Sequence, residues 1–170
     1  MNVNELLKIR KIALKDTKKN LIECGDIENF IKYSKPVQEF IAKQKFDGWT
    51  LLHLACHLGN EKAVNLLIDH SDVNTVDDFG STPLHYATSV AIAEKLITCG
   101  ADINAKDFVG FSALVIAYVN ENYDLLNYLI DAGADVNKCS DKIETYIKII
   151  KSYRESYFQS KNTQQNVPSN

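Results

Sequence analysis

The chain has 170 residues, of which 45% are hydrophobic, a composition typical of one folded domain and unlike that of a disordered chain. No apolar run reaches the roughly 18 residues that a membrane-spanning helix needs, so no transmembrane segment is predicted. The four cysteines lack C-x-x-C spacing, which favours reduced thiols, a structural role and a cytoplasmic location.

The formal net charge is −3, and it is unevenly distributed along the chain. Residues 1–45 carry ten basic and six acidic residues, residues 46–141 carry four and fourteen, and residues 142–170 carry five and two. The acidic central part disfavours binding to nucleic acid, because phosphate contacts need positive charge. It favours a partner protein with a basic surface, mainly because complementary charge speeds encounter.

In chain order, residues 1–44 are predicted to form an N-terminal helical cap. Within residues 2–23, five apolar residues recur near helical spacing, with lysines elsewhere: Val3, Leu6, Leu7, Leu14 and Leu21. Such a basic amphipathic helix could instead lie on an anionic membrane. A cap that covers the apolar flank of the following elements is the favoured interpretation.

Three copies of one pattern follow between residues 45 and 138. Each has a glycine two residues before a hydroxyl side chain that can cap a helix, at Gly48 and Thr50, Gly80 and Thr82, and Gly110 and Ser112. A second apolar helix follows, and each copy ends in a similar tail: Asp72-Val73-Asn74, Asp102-Ile103-Asn104 and Asp135-Val136-Asn137. Helices this short are marginal alone in water, so the copies are expected to stack.

The middle copy reads Thr82-Pro83-Leu84-His85-Tyr86-Ala87, which resembles the ankyrin repeat signature T-P-L-H-x-A. The match is partial in the flanking copies, because Leu51 and Ala113 replace the proline and Val115 replaces the histidine. The resemblance implies an all-α solenoid of stacked helix-turn-helix units with short β-turn fingers, capped at both ends. The repeats are predicted at about residues 45–76, 77–106 and 107–139.

The copies are shorter than the family's period of about 33 residues. Their capping positions, 50, 82 and 112, are 32 and 30 residues apart. The first copy lacks one residue at His70-Ser71, and the middle copy lacks three at Ala87-Thr88-Ser89, where its two helices should turn. The truncated turn predicts a shallower binding groove there and a more prominent Phe79.

The resemblance continues weakly towards both ends of the chain. A degenerate ankyrin unit is predicted around Gly25, within residues 1–44. A C-terminal capping helix is predicted over residues 141–158, because apolar residues recur there at helical spacing. Residues 159–170 are polar without an apolar period and are predicted to be disordered.

No catalytic, cofactor or metal site is predicted. His53, Cys56 and His57 fall at i, i+3 and i+4, a spacing that can present ligands to zinc. However, His53 and His85 hold the position of the family's signature histidine, which implies an inward side chain that hydrogen-bonds neighbouring turns. The chain has no glycine-rich phosphate loop and no nucleophile elbow. A non-catalytic role is therefore favoured over an enzyme with a metal or thiol site.

The predicted partner-binding surface lies on the fingers. In ankyrin proteins the fingers and first helices line a concave surface that binds partners, and the residues flanking the turn glycine vary. Five of the nine such positions are aromatic here, against 9% of the whole chain. These rings are either anchors for a partner or, above all for Trp49 and Phe111, packed on each other and on the next repeat. The candidate residues are Phe46, Asp47, Trp49, His57, Asp78, Phe79, Ser81, Phe108, Val109 and Phe111.

The predicted function is that of a monomeric, cytoplasmic protein–protein interaction module without a cofactor, whose partner is basic and apolar. The alternative is a secreted ankyrin effector of an intracellular microbe or parasite that acts on a host protein. The 17 lysines against two arginines suggest an AT-rich genome, as in many organisms that carry ankyrin proteins. In a eukaryotic or host cytosol, Asn74, Asn104 and Asn137 match a position that asparaginyl hydroxylase can modify in this family.

Overall fold

The computed structural model describes residues 35–45, 48–135 and 144–165. The regular elements in these ranges are helical, which confirms the predicted all-α class. They are α1 (Lys35–Lys43), α2 (Leu51–His57), α3 (Glu61–Leu67), a 3-10 helix (Ile68–His70), a second 3-10 helix (Pro83–Tyr86), α4 (Val90–Thr98), α5 (Ala113–Val119), α6 (Tyr123–Asp131) and α7 (Glu144–Gln165). The predicted helix at 2–23, the turn around Gly25, and Phe46, Asp47 and Asn137 lie outside the described residues.

The chain divides into two compact units, the first ending at Asp102 and the second beginning at Ile103. Within the ranges that the structure describes, no helix is both long enough and apolar enough to cross a membrane.

The helices of the first unit begin at side chains that cap them. Thr50 caps α2, Asn60 caps α3 through a 3.0 Å bond from the Ala63 N–H to its Oδ1, and Ser89 caps α4. Such side chains satisfy N–H groups that have no partner inside the helix. The core between these helices is built from side chains with at most 1% exposure, namely Leu51, Leu52, Ala55, Cys56, Ala63, Val64, Leu67, Ile92, Ala93 and Leu96.

The tail of the first repeat is joined to the second by Asn74. Its side-chain amide donates to the carbonyl oxygen of Gly100 at 2.9 Å and accepts the N–H of Asp102 at 2.8 Å. In the second unit, Asn104 accepts the N–H of Asp135 at 2.8 Å in the same way. The repeated asparagines therefore hold successive tails together through backbone groups.

The middle repeat is shortened at a different place from the one that the sequence predicts. Its first helix is a 3-10 helix of four residues, Pro83–Tyr86, whereas the corresponding α2 has seven. Ala87 then leaves the helix in an extended conformation, with φ −61° and ψ 126°. The missing residues are thus lost from the helix itself. Phe79 was expected to be the more prominent finger side chain. This expectation is wrong, because Phe79 is 67% exposed and Phe108 is more exposed, at 77%.

In the second unit, α7 packs against the preceding helix pair and buries Ile150 completely. The Tyr153 hydroxyl donates to Oδ1 of Asn127 at 2.9 Å, and the Tyr157 hydroxyl donates to Oδ2 of Asp131 at 3.0 Å. The rings of Tyr123 and Tyr153 stack with centroids 5.8 Å apart. Aromatic side chains of α7 are therefore fixed along α6 by both ring contacts and hydrogen bonds.

Helix α7 continues to Gln165, so the predicted end at residue 158 and the predicted disorder over 159–165 are wrong. The segment after 158 contains glutamine and lysine, which favour helices, and no glycine or proline occurs before Pro168. A helix that is already packed on its neighbours can therefore extend through this polar sequence without an apolar face.

Candidate interaction surface

The finger of the middle repeat is held by Asp77, which is only 2% exposed. Its Oδ1 accepts the N–H groups of Phe79 at 2.8 Å and Ser81 at 2.9 Å, and the Tyr86 hydroxyl donates to Oδ2 at 2.6 Å. Backbone bonds close the same turn, with Gly80 at φ 79°, a left-handed conformation that suits glycine. The finger is therefore a fixed turn that leaves Phe79 exposed to solvent.

The Asp77 carboxyl is held in its charged form. Burial by itself raises its pKa, but the hydrogen bonds from the Tyr86 hydroxyl and from the N–H groups of Ser81 and Phe79 outweigh burial. The net result is a pKa below the ordinary value of 3.8. A negative charge is thus fixed at the base of the finger.

The second unit has a finger of the same construction. Oδ1 of Asp107 accepts the N–H groups of Val109 at 2.9 Å, Gly110 at 2.8 Å and Phe111 at 2.8 Å. Phe108 is 77% exposed and Val109 is 57% exposed, whereas Phe111 is only partly exposed. We call Phe79, Phe108 and Val109 the finger tips, because each projects from a turn fixed by an aspartate.

Trp49, just before the cap of α2, packs against other rings of the first unit. Its ring centroid lies 4.5 Å from that of Tyr86 in the next repeat and 5.1 Å from that of His57, and the His57 and Tyr86 centroids are 6.0 Å apart. Trp49 and Tyr86 are partly exposed, and His57 is exposed. Trp49 therefore packs on other rings of this chain, which is the second of the two interpretations given for it above. The rings nevertheless still reach the surface. We call Trp49, His57 and Tyr86 the aromatic cluster.

Two further candidate contact residues, Ser81 and Asp78, differ in their exposure. Ser81 is only 6% exposed, so its side chain cannot belong to an exposed contact surface. The reason is that its backbone N–H bonds to Asp77 and its carbonyl oxygen bonds to His53, which draws the residue inward. Asp78 is exposed, and its carboxylate lies against Gly48, where an added Cβ would come within 2.5 Å of Oδ2.

Tyr86 was not among the predicted contact residues. It occupies the variable position of the T-P-L-H-x-A signature, which the resemblance does not associate with binding. Two signals in the sequence were available: an aromatic side chain at that position, and a tryptophan beside the cap of the preceding repeat. Neither identifies the contact until the stacking of the two repeats is known.

The zinc hypothesis for His53, Cys56 and His57 receives no support. His53 is fully buried, accepts the N–H of Thr50 at Nδ1 (3.2 Å) and donates from Nε2 to the Ser81 carbonyl oxygen (3.0 Å). Burial raises the pKa of the Cys56 thiol to about 12, so it stays protonated. Among the residues with described positions, no three His, Cys, Asp or Glu side chains are grouped so as to hold a metal ion.

The inward orientation implied for the signature histidines is confirmed for His53. His85 repeats the local part of this arrangement, since its Nδ1 accepts the N–H of Thr82 at 3.0 Å. Each histidine closes a capping box with the hydroxyl residue three positions earlier. These side chains serve the fold and are not available as ligands.

Short helix pairs, aspartate-fixed fingers and a buried histidine that links one repeat to the next define a helical repeat protein. A family model described as "Ankyrin repeats (3 copies)" matches residues 16–107, and one described as "Ankyrin repeat" matches residues 109–141. The chain belongs to the ankyrin repeat family.

Known proteins similar to this chain occur in animals, viruses and plants. A B-cell lymphoma 3 protein homolog of Mus musculus is 31% identical over 65% of this chain and 26% of its own length. A putative ankyrin repeat protein of fowlpox virus (strain NVSL) is 35% identical over 49% of this chain and 27% of its own length. An E3 ubiquitin-protein ligase of Arabidopsis thaliana is 29% identical over 65% of this chain and 7% of its own length. The chain thus spans only a small part of the length of these relatives.

Proposed function

We propose that this chain is a non-catalytic binding protein that holds its partner through the finger tips. Ankyrin repeats are in general protein–protein interaction modules and are typically not enzymatic. The observation that carries the proposal is the exposure of Phe79 (67%) and Phe108 (77%) on turns fixed by Asp77 and Asp107. Large rings on fixed turns bury much apolar area on binding at a small cost in entropy.

The charge around these rings indicates the chemistry of the partner. Residues 46–141 carry fourteen acidic and four basic residues, and Asp78 is exposed directly beside Phe79. We therefore propose a partner protein with apolar side chains set in a basic surface. The same charge argues against nucleic acid as the ligand. We propose a cytoplasmic location and a monomeric state, and no cofactor is needed for this function.

Capture of a partner with matched variants tests the proposal. The double variant Phe79→Ala/Phe108→Ala removes both exposed rings, and Ile149→Ala removes a less exposed apolar side chain (42% exposed) on α7. The wild type and Ile149→Ala should capture the same protein, and the double variant should lose it. Helicity and melting temperature should be equal in all three proteins. Retention of the partner by the double variant would rule out the finger tips as the site.

A second proposal is that the module acts as an effector of an intracellular microbe or parasite on a host protein. The specific observation is the similarity to an ankyrin repeat protein of fowlpox virus, together with 17 lysines against two arginines. Detection of the protein in the cytosol of infected host cells would support the proposal. Its confinement to the producing cell would contradict it and would leave the binding function untouched.

A further inference from the structure

The aromatic cluster of Trp49, His57 and Tyr86 is a second feature of the first unit that reaches the surface. The three centroids are separated by 4.5, 5.1 and 6.0 Å, so the rings form one continuous contact. None of the three is buried, since His57 is exposed and the others are partly exposed. A tryptophan and a tyrosine, whose ring faces carry negative potential, thus reach the surface within a small area.

The first helix of the middle repeat ends directly at Tyr86. In the first repeat, the helix continues beyond His53 for another turn, to His57. In the middle repeat the 3-10 helix ends at Tyr86, and Ala87 is extended. The chain then turns back, and the Thr88 hydroxyl donates to the carbonyl oxygen of Cys56 at 3.4 Å. The helical turn that would follow Tyr86 in a full-length copy is therefore missing from this repeat.

Two carboxylates lie near the cluster, whereas the positive charge of Lys45 acts on the adjoining His53. The Tyr86 hydroxyl donates to the Asp77 carboxylate at 2.6 Å, which places a negative charge at the edge of the ring. Asp78 adds an exposed carboxylate on the adjoining finger. The face of an aromatic ring attracts a cation, most strongly for tryptophan, and adjoining negative charge adds to that attraction.

The spacing of the rings selects among cations. The Trp49 and Tyr86 centroids are only 4.5 Å apart at an interplanar angle of 48°, so no space remains between the two rings to enclose an ammonium group. A flat guanidinium needs no enclosure, because it stacks on an exposed ring face. We propose that the aromatic cluster receives an arginine side chain of the partner protein, with its guanidinium stacked on Trp49 and Tyr86. This inference rests on the proposed function, since the arginine belongs to the partner held by the finger tips.

Intrinsic fluorescence provides a direct measurement, because Trp49 is the only tryptophan of the chain. The probes are the N-acetyl methylamides of arginine, lysine and citrulline, at matched ionic strength. Citrulline has nearly the shape of arginine without its charge. The arginine probe should change the Trp49 emission saturably, and the other two should bind at least about threefold more weakly. Equal responses to arginine and citrulline, or to arginine and lysine, would overturn the assignment. This comparison uses the unmodified chain and does not depend on a variant that folds.

Variants test whether the fluorescence response to the probes arises at the aromatic cluster. Tyr86→Leu should abolish the preference for arginine over citrulline, and the control Tyr123→Leu, which changes an exposed ring of the second unit, should keep it. The double variant Phe79→Ala/Phe108→Ala should also keep the preference while losing the partner. If that variant loses the partner but the probes are not distinguished on the wild type, the arginine inference fails and the proposed function stands. If the variant keeps the partner while the probes are distinguished, the proposed function fails and the arginine site stands.

Discussion

His53 of the first repeat donates from Nε2 to the carbonyl oxygen of Ser81 in the finger of the second repeat, at 3.0 Å. The same ring accepts the Thr50 N–H at Nδ1 at 3.2 Å. One buried side chain therefore connects the cap of a helix to the finger of the following repeat. Because repeat proteins depend on contacts between neighbouring units, such a connection contributes both to the fold and to the position of the finger.

Replacement of His53 by alanine should lower the free energy of unfolding by about 2–3 kcal/mol, because it leaves buried backbone groups of Thr50 and Ser81 without their partner. His57→Ala is the control, since it removes an exposed histidine one turn further along α2. His57→Ala should lower the free energy of unfolding by no more than about 1 kcal/mol. Urea unfolding of both variants measures the difference, and equal losses would contradict the structural role of His53.

The same histidine makes stability depend on pH. Burial lowers the pKa of His53 below the ordinary value of 6.5, although the hydrogen bond to Ser81 opposes this shift. The unfolded chain therefore takes up a proton at a higher pH than the folded chain. The contribution of neutral His53 is present above about pH 6.5 and is lost as the pH falls from there towards the folded pKa.

Urea unfolding at about pH 7.5 and about pH 5.5 tests this dependence. The wild type should be less stable at the lower pH, and His53→Gln, whose side chain does not titrate, should lose less stability between the two conditions. Asp77 does not account for the difference, because its pKa lies below 3.8 and its contribution is lost only in stronger acid. An identical pH dependence of the two proteins would show that His53 is not responsible.

Asp77 and Tyr86 should be energetically coupled. Their hydrogen bond is short, at 2.6 Å, and its acceptor is a charged carboxylate held at the base of the finger. A double-mutant cycle with Asp77→Ala and Tyr86→Phe should give a coupling free energy of about 1–2 kcal/mol, measured by urea unfolding. Asp78→Ala with Tyr86→Phe is the matched cycle and should give a value near zero. Additive effects in the first cycle would mean that the bond does not hold the finger.

Glu121 adopts φ 56°, a left-handed conformation that is unfavourable for a residue with a side chain. In the first repeat the same place, directly before the asparagine cap, is occupied by Gly59 at φ 67°. Glu121→Gly should therefore raise the free energy of unfolding by about 0.5–1 kcal/mol. Gly59→Ala should lower it, since an added Cβ would also lie 3.0 Å from the Thr88 hydroxyl. Thermal unfolding of both variants should show opposite shifts, and shifts of the same sign would refute the argument.

The repeat pattern was predictable because it depends on local chemistry. Thr50 and Thr82 cap helices, and Gly80 and Gly110 adopt positive φ, as the sequence indicates. What the sequence did not reveal depends on packing between repeats. The contact of Trp49 with Tyr86 joins residues 37 positions apart, and no local pattern specifies it.

Two further errors have related causes. Ser81 was taken as exposed because it flanks the turn glycine, whereas its carbonyl oxygen is drawn inward to His53. The end of α7 was predicted at residue 158 because apolar residues cease there. The helix is anchored through Tyr153 and Tyr157 and extends to Gln165. In both cases a long-range contact, and not the local sequence, determines where a residue lies or an element ends.

The most direct test of the account is the affinity of the captured partner for the finger-tip variant. Isothermal titration of the partner into wild type, Phe79→Ala/Phe108→Ala and Ile149→Ala gives the three dissociation constants under identical conditions. The account predicts that the double variant binds at least about 30-fold more weakly, a loss of about 2 kcal/mol, while Ile149→Ala binds as the wild type does. Equal dissociation constants for all three proteins, with equal melting temperatures, would contradict binding through the finger tips.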